Sequence, residues 1–250
     1  VEQGAKELIL VAQETTLYGV DLYGEKSLHK LLDELNKISG LFWIRIMYCY
    51  PEEIYDELIE SMIKDEKVCH YLDMPIQHCN NDILRRMGRK TTKAELMERI
   101  RMLRERIPDI TLRTTLICGF PGETQDNHDE LMQFVNDMEF DRLGAFTYSP
   151  EEGTKAAAMP DQIDEQIKAA RSEKLIALGH DMSKEFRKFY IGKNEEVLFE
   201  EKAVIGDKEY FVGYTKEYVK VAKKTDENLE NQIVSGRISG MLTDEILLFE

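Results

Sequence analysis

Residues 110–123 have the sequence ITLRTTLICGFPGE, and this stretch decides the fold class. It begins as an apolar, strand-like run from Ile110 to Cys118 and ends in a loop with two glycines and a proline. The next segment carries Leu131, Phe134 and Val135 at helical spacing. A buried strand, a short loop and an amphipathic helix together form the repeating unit of parallel α/β proteins.

The same unit occurs repeatedly on both sides of this stretch. Further strands are predicted at residues 8–12, 42–48, 70–77 and 143–148, and helical patterns alternate with them. The run at residues 8–12 is continuously apolar, which predicts a strand covered on both faces. Thr92 and Glu95 have the spacing of a capping box at a helix start. Five parallel strands are too few for a closed eight-stranded barrel, so the pattern predicts an open sheet or a partial barrel.

The pattern changes after a long predicted helix at residues 162–190. Short β-rich segments separated by glycines follow from Gly192 onward, which predicts a small all-β barrel. These segments lie at residues 197–199, 209–212, 218–221, 232–238 and 245–249. We therefore predict two domains, an α/β partial barrel at residues 1–190 and a β barrel at residues 191–250.

Charge and composition narrow the classes of partner. The formal charge is −15, and both predicted domains are acidic, which disfavours binding to a nucleic-acid backbone and favours a basic protein partner. An acidic surface also occurs in many soluble proteins simply because it confers solubility. No apolar run reaches the roughly 20 residues of a membrane span, and no signal-peptide pattern is present, so we expect a cytoplasmic protein without a membrane partner. Because the sequence starts at Val1, we expect a fragment.

The four cysteines do not have the spacing of a metal site. Cys49, Cys69, Cys79 and Cys118 are too far apart in sequence for a zinc or iron–sulfur motif, and we expect them to be buried apolar residues.

Polar and glycine-rich segments follow four of the five predicted strands. In parallel α/β barrels, functional residues lie at the carboxyl ends of the strands. Gln13 and Gln77 lie at two of these ends, and the loop Gly119-Phe120-Pro121-Gly122-Glu123 lies at a third. Because glycine lacks a side chain, this loop can approach a ligand closely, and we expect it to hold an adenine.

Two arginines lie inside apolar strands. Arg45 and Arg113 must each be paired or bind a ligand, and a guanidinium binds a carboxylate through two parallel hydrogen bonds. The alternative for each arginine is a salt bridge to an acid of the sheet such as Asp73. For His70 and His78 we expect structural roles.

Seven motifs in order resemble the ribosomal-protein aspartate methylthiotransferases of the RimO family, which are radical S-adenosylmethionine enzymes. The resemblance covers almost all of the first 190 residues, and the last 60 residues look like the TRAM domain of that family. The motifs are LVAQETTxYG (10–19), WIRIMY (43–48), PIQH (75–78), MGR (87–89), LRTT (112–115), GFPGET (119–124) and FTYSxEEGT (146–154).

The resemblance implies a TIM-like partial (α/β) barrel that binds S-adenosylmethionine, followed by a TRAM barrel. It implies two 4Fe-4S clusters in the full-length enzyme and hydrogen abstraction from the β-carbon of an aspartate. That aspartate belongs to the twelfth protein of the small ribosomal subunit, and sulfur and a methyl group are then added to it. Gln13, Arg45, Gln77, Arg113 and residues 119–123 would line the cofactor pocket, and we expect a monomer.

This sequence departs from the family at the residues that carry the chemistry. The Cys-x-x-x-Cys-x-x-Cys motif that precedes the first of these strands in the family is not found, and neither are the three cysteines of the family's N-terminal domain. We therefore expect no metal ligands, no catalytic residues and no cluster in these residues, and we expect the barrel's first strand and cluster loop to be absent. Gly213-Tyr214-Thr215 replaces the family's Gly-Arg-Thr, which disfavours RNA binding by the tail.

Two other functions remain open. One is tRNA adenosine methylthiolation, the reaction of the sister family, although Ala12-Gln13-Glu14-Thr15 differs from its Gly-Gln-Asn-Val motif and the tail is acidic. The other is a non-enzymatic scaffold that binds a ribosomal protein. For the RimO-type function, we predict that the substrate protein docks on Glu200, Glu201 and Glu209.

Overall fold

The computed structural model describes residues 1–250 and contains a parallel sheet with flanking helices, followed by a closed β barrel. The first part comprises β1 (Glu7–Leu10), α1 (Val20–Tyr23), α2 (Leu28–Asn36), β2 (Trp43–Ile46), α3 (Asp56–Lys64), β3 (Val68–Asp73), α4 (Asn81–Arg86), α5 (Lys93–Arg106), β4 (Thr111–Cys118), α6 (Gln125–Met138), β5 (Arg142–Thr147) and α7 (Glu165–Lys188). Short 3-10 turns lie at Thr15–Leu17 and Pro51–Glu53. None of the helices is both long and apolar enough to cross a membrane.

The five strands β1 to β5 are neighbours in sequence order, and every pair is parallel. This confirms the α/β class and the parallel sheet that the alternating pattern predicted. The third strand is shorter than predicted: it ends at Asp73, and Gln77 rejoins the sheet only through an isolated bridge to Leu116. The break occurs where Pro75, which lacks an N–H, follows the strand.

The helices begin and end at residues with the expected local chemistry. Thr92 caps α5 in the predicted capping box with Glu95. A second capping box, which was not predicted because its third helical residue is Asn127, starts α6 at Thr124. The 3-10 turn at Pro51–Glu53 precedes α3, which begins at Asp56.

The second part of the chain is a closed barrel of five strands. They are β6 (Asn194–Ile205), β7 (Lys208–Tyr214), β8 (Lys220–Lys223), β9 (Gln232–Met241) and β10 (Leu247–Phe249), in the order β10-β8-β7-β6-β9. The strand β6 is much longer than the predicted segment at residues 197–199. Whether this barrel is a TRAM domain stays a prediction.

The barrel covers the amino-terminal half of one face of the sheet. Trp43, Cys69 and Tyr71 point from β2 and β3 toward the barrel and pack against Leu198. The opposite face of the sheet packs against the helices through residues such as Ile44 and Leu72. The face toward the barrel, called the inner face below, is therefore closed at the amino ends of the strands.

Candidate functional site

The inner face is open toward the carboxyl ends of the strands. In β1 and the residue after it, Ile9 and Val11 are 45% and 62% exposed, whereas Leu8 and Leu10 pack against the core. Phe146 in β5 is 59% exposed. The prediction that residues 8–12 form a strand covered on both faces is therefore wrong, because the barrel covers only the amino half of the sheet. The result is an exposed apolar surface beside the carboxyl edge, where ligands bind in parallel α/β folds.

The loops that follow the strands are joined to one another along this edge. The Thr15 N–H donates to the Tyr48 carbonyl at 3.0 Å, and the Cys49 N–H donates to the Asp73 carbonyl at 2.8 Å. Tyr48 and Gln77, after β2 and β3, both have positive φ angles, of 58° and 68°. Non-glycine residues rarely adopt this conformation, and such strain concentrates at binding sites.

Gln77 presents an unpaired polar atom at this edge. Its N–H donates to the Thr115 carbonyl at 3.0 Å, and its carbonyl accepts from the Ile117 N–H at 2.8 Å. These bonds hold the backbone against β4, while the side-chain Oε1 is buried without a hydrogen-bond partner. A buried acceptor without a partner is costly, so Gln77 is suited to receive a donor from a ligand. Gln13, after β1, is exposed at the same edge.

Arg113 lies on the inner face of β4. It forms a salt bridge with Asp73, which was the predicted alternative to binding a ligand. Its Nη1 donates to buried Asp73 at 2.5 Å and to Thr115 Oγ1 at 3.1 Å. The side chain is 29% exposed, and its Nε and Nη2 atoms have no bond within the protein. Pairing with Asp73 therefore orients the guanidinium and leaves its Nε and Nη2 atoms free to donate to a ligand.

Arg45 has a different environment from the one expected for a cofactor ligand. It is completely buried beneath the barrel, where Nε donates to Glu7 at 2.7 Å and Nη1 donates to the Lys216 carbonyl at 2.7 Å. Its guanidinium also lies over the rings of Tyr71 and Tyr218, at 4.9 and 4.3 Å from their centroids. The structure thus places Arg45 in the contact between the two domains and away from the carboxyl edge.

The loop from Gly119 to Glu123 does lie at the carboxyl edge, and a buried carboxylate organises it. Glu123 accepts a bond from the Gly119 N–H at 2.8 Å and another from Arg171 Nη1 at 2.8 Å, and it lies 3.6 Å from His78 Nε2. Burial alone would raise the pKa of Glu123, but His78, the Gly119 N–H and Arg171 together hold it below its ordinary value. Glu123 therefore has an internal structural role, and His78 is the buried structural histidine that was expected.

The two glycines of this loop make room for protein side chains. A Cβ on Gly119 would lie 2.3 Å from Lys168 Cγ, and a Cβ on Gly122 would lie 2.1 Å from Arg86 Nη1. We expected these glycines to let a ligand approach the backbone closely. In the structure, side chains of α7 and α4 occupy that space instead. The ring of Phe120 packs edge-on against that of Tyr148, with 5.1 Å between the ring centroids. The Pro121 carbonyl accepts a hydrogen bond from Arg86 Nη1 at 3.2 Å.

Two residues that support the loop were not identified from sequence. Lys168 and Arg171 are buried on α7; Lys168 Nζ donates to the Tyr148 carbonyl at 3.0 Å, and Arg171 binds Glu123. Their spacing of three residues on the helix, next to apolar Ile167, was the only available signal.

The four cysteines are free and buried. Burial raises the pKa of Cys79 and of Cys118 to about 12, so neither is a thiolate at neutral pH. No group of three or more His, Cys, Asp or Glu side chains is arranged to hold a metal ion. The four buried cysteines therefore do not fit the ligand set of an iron–sulfur cluster.

Comparison with known proteins places these observations in a family. The model of the radical SAM superfamily matches residues 1–135. The chain is 52% identical over 216 residues to the ribosomal protein uS12 methylthiotransferase RimO of Clostridium perfringens strain SM101, covering 86% of this chain and 48% of that protein. It is 54% identical over 199 residues to the RimO of Clostridium botulinum strain Hall, covering 80% and 45%.

A solved structure shows the same fold in a more distant protein. It is coproporphyrinogen III oxidase (HemN) of Escherichia coli, described as a radical SAM enzyme, with a TM-score of 0.51 and 20% identity. The match covers 62% of this chain and 36% of that one. This chain spans about half the length of the curated relatives it matches. The chain belongs to the radical SAM superfamily, and within it the sequence is of the RimO type.

Proposed function

We propose that this chain serves in a methylthiotransferase reaction at the β-carbon of an aspartate in the twelfth protein of the small ribosomal subunit. Identity of 52% and 54% to proteins named as methylthiotransferases of that ribosomal protein supports the reaction class. The observation that carries the proposal is the open carboxyl edge, where Gln77 presents a buried, unpaired acceptor beside an exposed apolar surface.

The residues at this edge fit S-adenosylmethionine, which combines an adenosine, an apolar arm and a zwitterionic amino acid. Bound there, one S-adenosylmethionine molecule would supply the hydrogen abstraction, with an electron from a 4Fe-4S cluster, and a second molecule would supply the methyl group. Gln77 Oε1 would accept from a hydroxyl or ammonium group, and the free nitrogens of Arg113 would donate to the carboxylate. Residues 119–123 would lie along the adenine. Gln13 would border the site at the carboxyl end of β1.

The protein's own residues would position the cofactor and exclude water from around it. Ile9, Val11 and Phe146 would exclude water from the inner face, and the bond from Arg113 to Asp73 would keep the guanidinium from rotating. Arg45 is not part of this proposal, because its bonds are already made to Glu7 and the barrel. We infer that the two 4Fe-4S clusters of such an enzyme are ligated by residues other than the four buried cysteines.

Docking of the substrate protein would use the acidic surface of the barrel. Glu200, Glu201 and Glu209 are exposed on β6 and β7, and the chain as a whole carries a charge of −15. Such a field attracts a basic protein and is screened over about 10 Å at 0.1 M salt. Binding should therefore weaken as salt rises and weaken further when these glutamates are changed to lysine.

Cofactor binding can be tested on this chain by titration calorimetry with S-adenosylmethionine. Gln77→Leu and Arg113→Lys should each weaken binding about tenfold, because each removes a polar contact with the cofactor. Arg101→Lys on the exposed face of α5 is the control and should change nothing. Equal affinity in all four proteins would show that the edge does not hold the cofactor.

Substrate choice can be tested by pull-down with the ribosomal protein and with tRNA over a range of salt concentrations. Preference for the ribosomal protein, together with cofactor binding, supports the proposal. Preference for tRNA would instead support the sister reaction. Binding of the ribosomal protein by a chain that fails to bind S-adenosylmethionine would support a scaffold function.

A further inference from the structure

A cavity lies between the sheet and the β barrel, toward the amino-terminal ends of the strands. Its volume is about 490 Å³, and its walls come from the amino-terminal end of β5, from α7 and from the segment that joins β7 to β8. Arg142, the first residue of β5, lines it, whereas the proposed cofactor site lies beyond the other end of that strand. Of the residues that line this cavity, only Arg113 also belongs to the proposed cofactor site.

The walls of this cavity are cationic although the chain is strongly acidic. Four side chains with permanent positive charge line it, together with His180, against two acids. The cations are Arg113, Arg142, Arg187 and Lys220, and the acids are Asp141 and Glu245. Asp141 is occupied elsewhere, since it accepts a bond from the Leu112 N–H at 2.7 Å.

Arg187 is the residue that most clearly lacks a partner. Its Nε and Nη2 atoms are buried without any hydrogen-bond partner, and it forms no salt bridge. Burial lowers the pKa of Arg187. Leaving guanidinium donors buried and unpaired costs more than a single hydrogen bond contributes, so native structures rarely keep them without a ligand or ordered water.

Two further cations of the cavity are also without ion pairs. Arg142 donates from Nη1 to the Tyr218 carbonyl, and neither Arg142 nor Lys220 has a carboxylate within salt-bridge distance. Three cations without ion pairs, from β5, α7 and β8, thus line one cavity in a protein of net charge −15. Glu245 also lines the cavity, and an anion bound among the three cations would relieve their remaining mutual repulsion.

We propose that this cavity binds a small oxyanion, a phosphate or a carboxylate group, held by Arg142, Arg187 and Lys220. Both anions present the paired oxygens that a guanidinium fork recognises. Because the three cations come from both domains, a bound anion would also tie α7 and β5 to the barrel. Ligand binding of this kind stabilises the folded state in proportion to its occupancy.

The test is calorimetric titration of the chain with inorganic phosphate and, separately, with citrate, at an ionic strength held constant with sodium chloride. Arg187→Gln should weaken binding of the active anion about tenfold or more, since it removes charge-assisted hydrogen bonds. Lys220→Gln, on the opposite wall, should also weaken it. Arg101→Gln, which removes an exposed arginine of α5, should leave it unchanged.

Each outcome bears on the proposal. Binding of phosphate alone or of citrate alone supports it and identifies the source of the oxyanion. The proposal is overturned if neither anion binds at millimolar concentration, or if Arg101→Gln weakens binding as much as Arg187→Gln does. Should Arg187→Gln fail to fold, Lys220→Gln decides the matter, because Lys220 is not an internal packing residue of either core.

Discussion

Replacement of Glu123 by glutamine tests whether this carboxylate organises the loop after β4. Glutamine keeps the volume and one acceptor oxygen, but it removes the negative charge that Arg171 binds at 2.8 Å. Both side chains are buried, with 0% and 8% of their surfaces exposed. The change therefore leaves the guanidinium of Arg171 without its counter-charge in a place that water does not reach.

The expected size of the effect follows from this burial. Removing one partner of a buried ion pair costs about 3–5 kcal/mol, and the retained amide oxygen places Glu123→Gln at the lower end, about 3 kcal/mol. For a chain of this size, that corresponds to a fall in melting temperature of roughly 6–12 °C. Changing Glu123 and Arg171 together should cost less than the sum of the two single changes, because neither is then left unpaired.

The effect should also depend on pH. The folded state holds the pKa of Glu123 below its ordinary value of 4.5, so the carboxylate's contribution to stability is present above that value and is lost as the pH falls through the folded-state pKa. The difference in unfolding free energy between wild type and Glu123→Gln should thus be full at pH 7 and shrink at acid pH.

Urea denaturation followed by circular dichroism measures this difference. Glu105→Gln, an exposed glutamate on α5 without a salt bridge, is the control and should change stability by less than about 0.5 kcal/mol. A loss for Glu123→Gln no larger than that of the control, or one that stays constant down to low pH, would refute the reasoning.

Three further changes test other parts of the structure. Arg45→Lys removes the guanidinium that bonds both Glu7 of the sheet and the Lys216 carbonyl of the barrel. The unfolding free energy measured by urea titration should therefore fall by about 2–4 kcal/mol, while cofactor affinity should not change. Gly119→Ala should lower it by about 1–3 kcal/mol, because φ is +72° and the new Cβ would lie 2.3 Å from Lys168 Cγ. Glu195 has a pKa raised to about 7 by burial and by the charge of Glu217, which favours the protonated folded state. Its contribution to stability is therefore lost as pH rises through 7, and Glu195→Gln should stabilise the protein at pH 8 but not at pH 4, as thermal unfolding at the two pH values would show.

The α/β class and the location of Gln77 and residues 119–123 after the strands were predictable because they depend on local pattern. Apolar runs that alternate with amphipathic helices permit only a parallel sheet, and the ends of parallel strands meet at one edge. Gln77 and the loop at residues 119–123 were placed there correctly. The capping box at Thr92 was predictable for the same reason, since its two partners are three residues apart.

The partners of individual polar side chains were decided by the tertiary structure alone. Arg45 and Arg113 look alike in sequence, yet the barrel buries Arg45 against a carbonyl 171 residues away, and Arg113 stays partly open beside Asp73. Likewise, nothing near Gly119 in sequence shows that Lys168 occupies the space above it. A strand's pattern determines which residues share a face, but what covers that face depends on where a distant part of the chain packs, and this sets whether a buried charge finds an internal partner or remains free for a ligand.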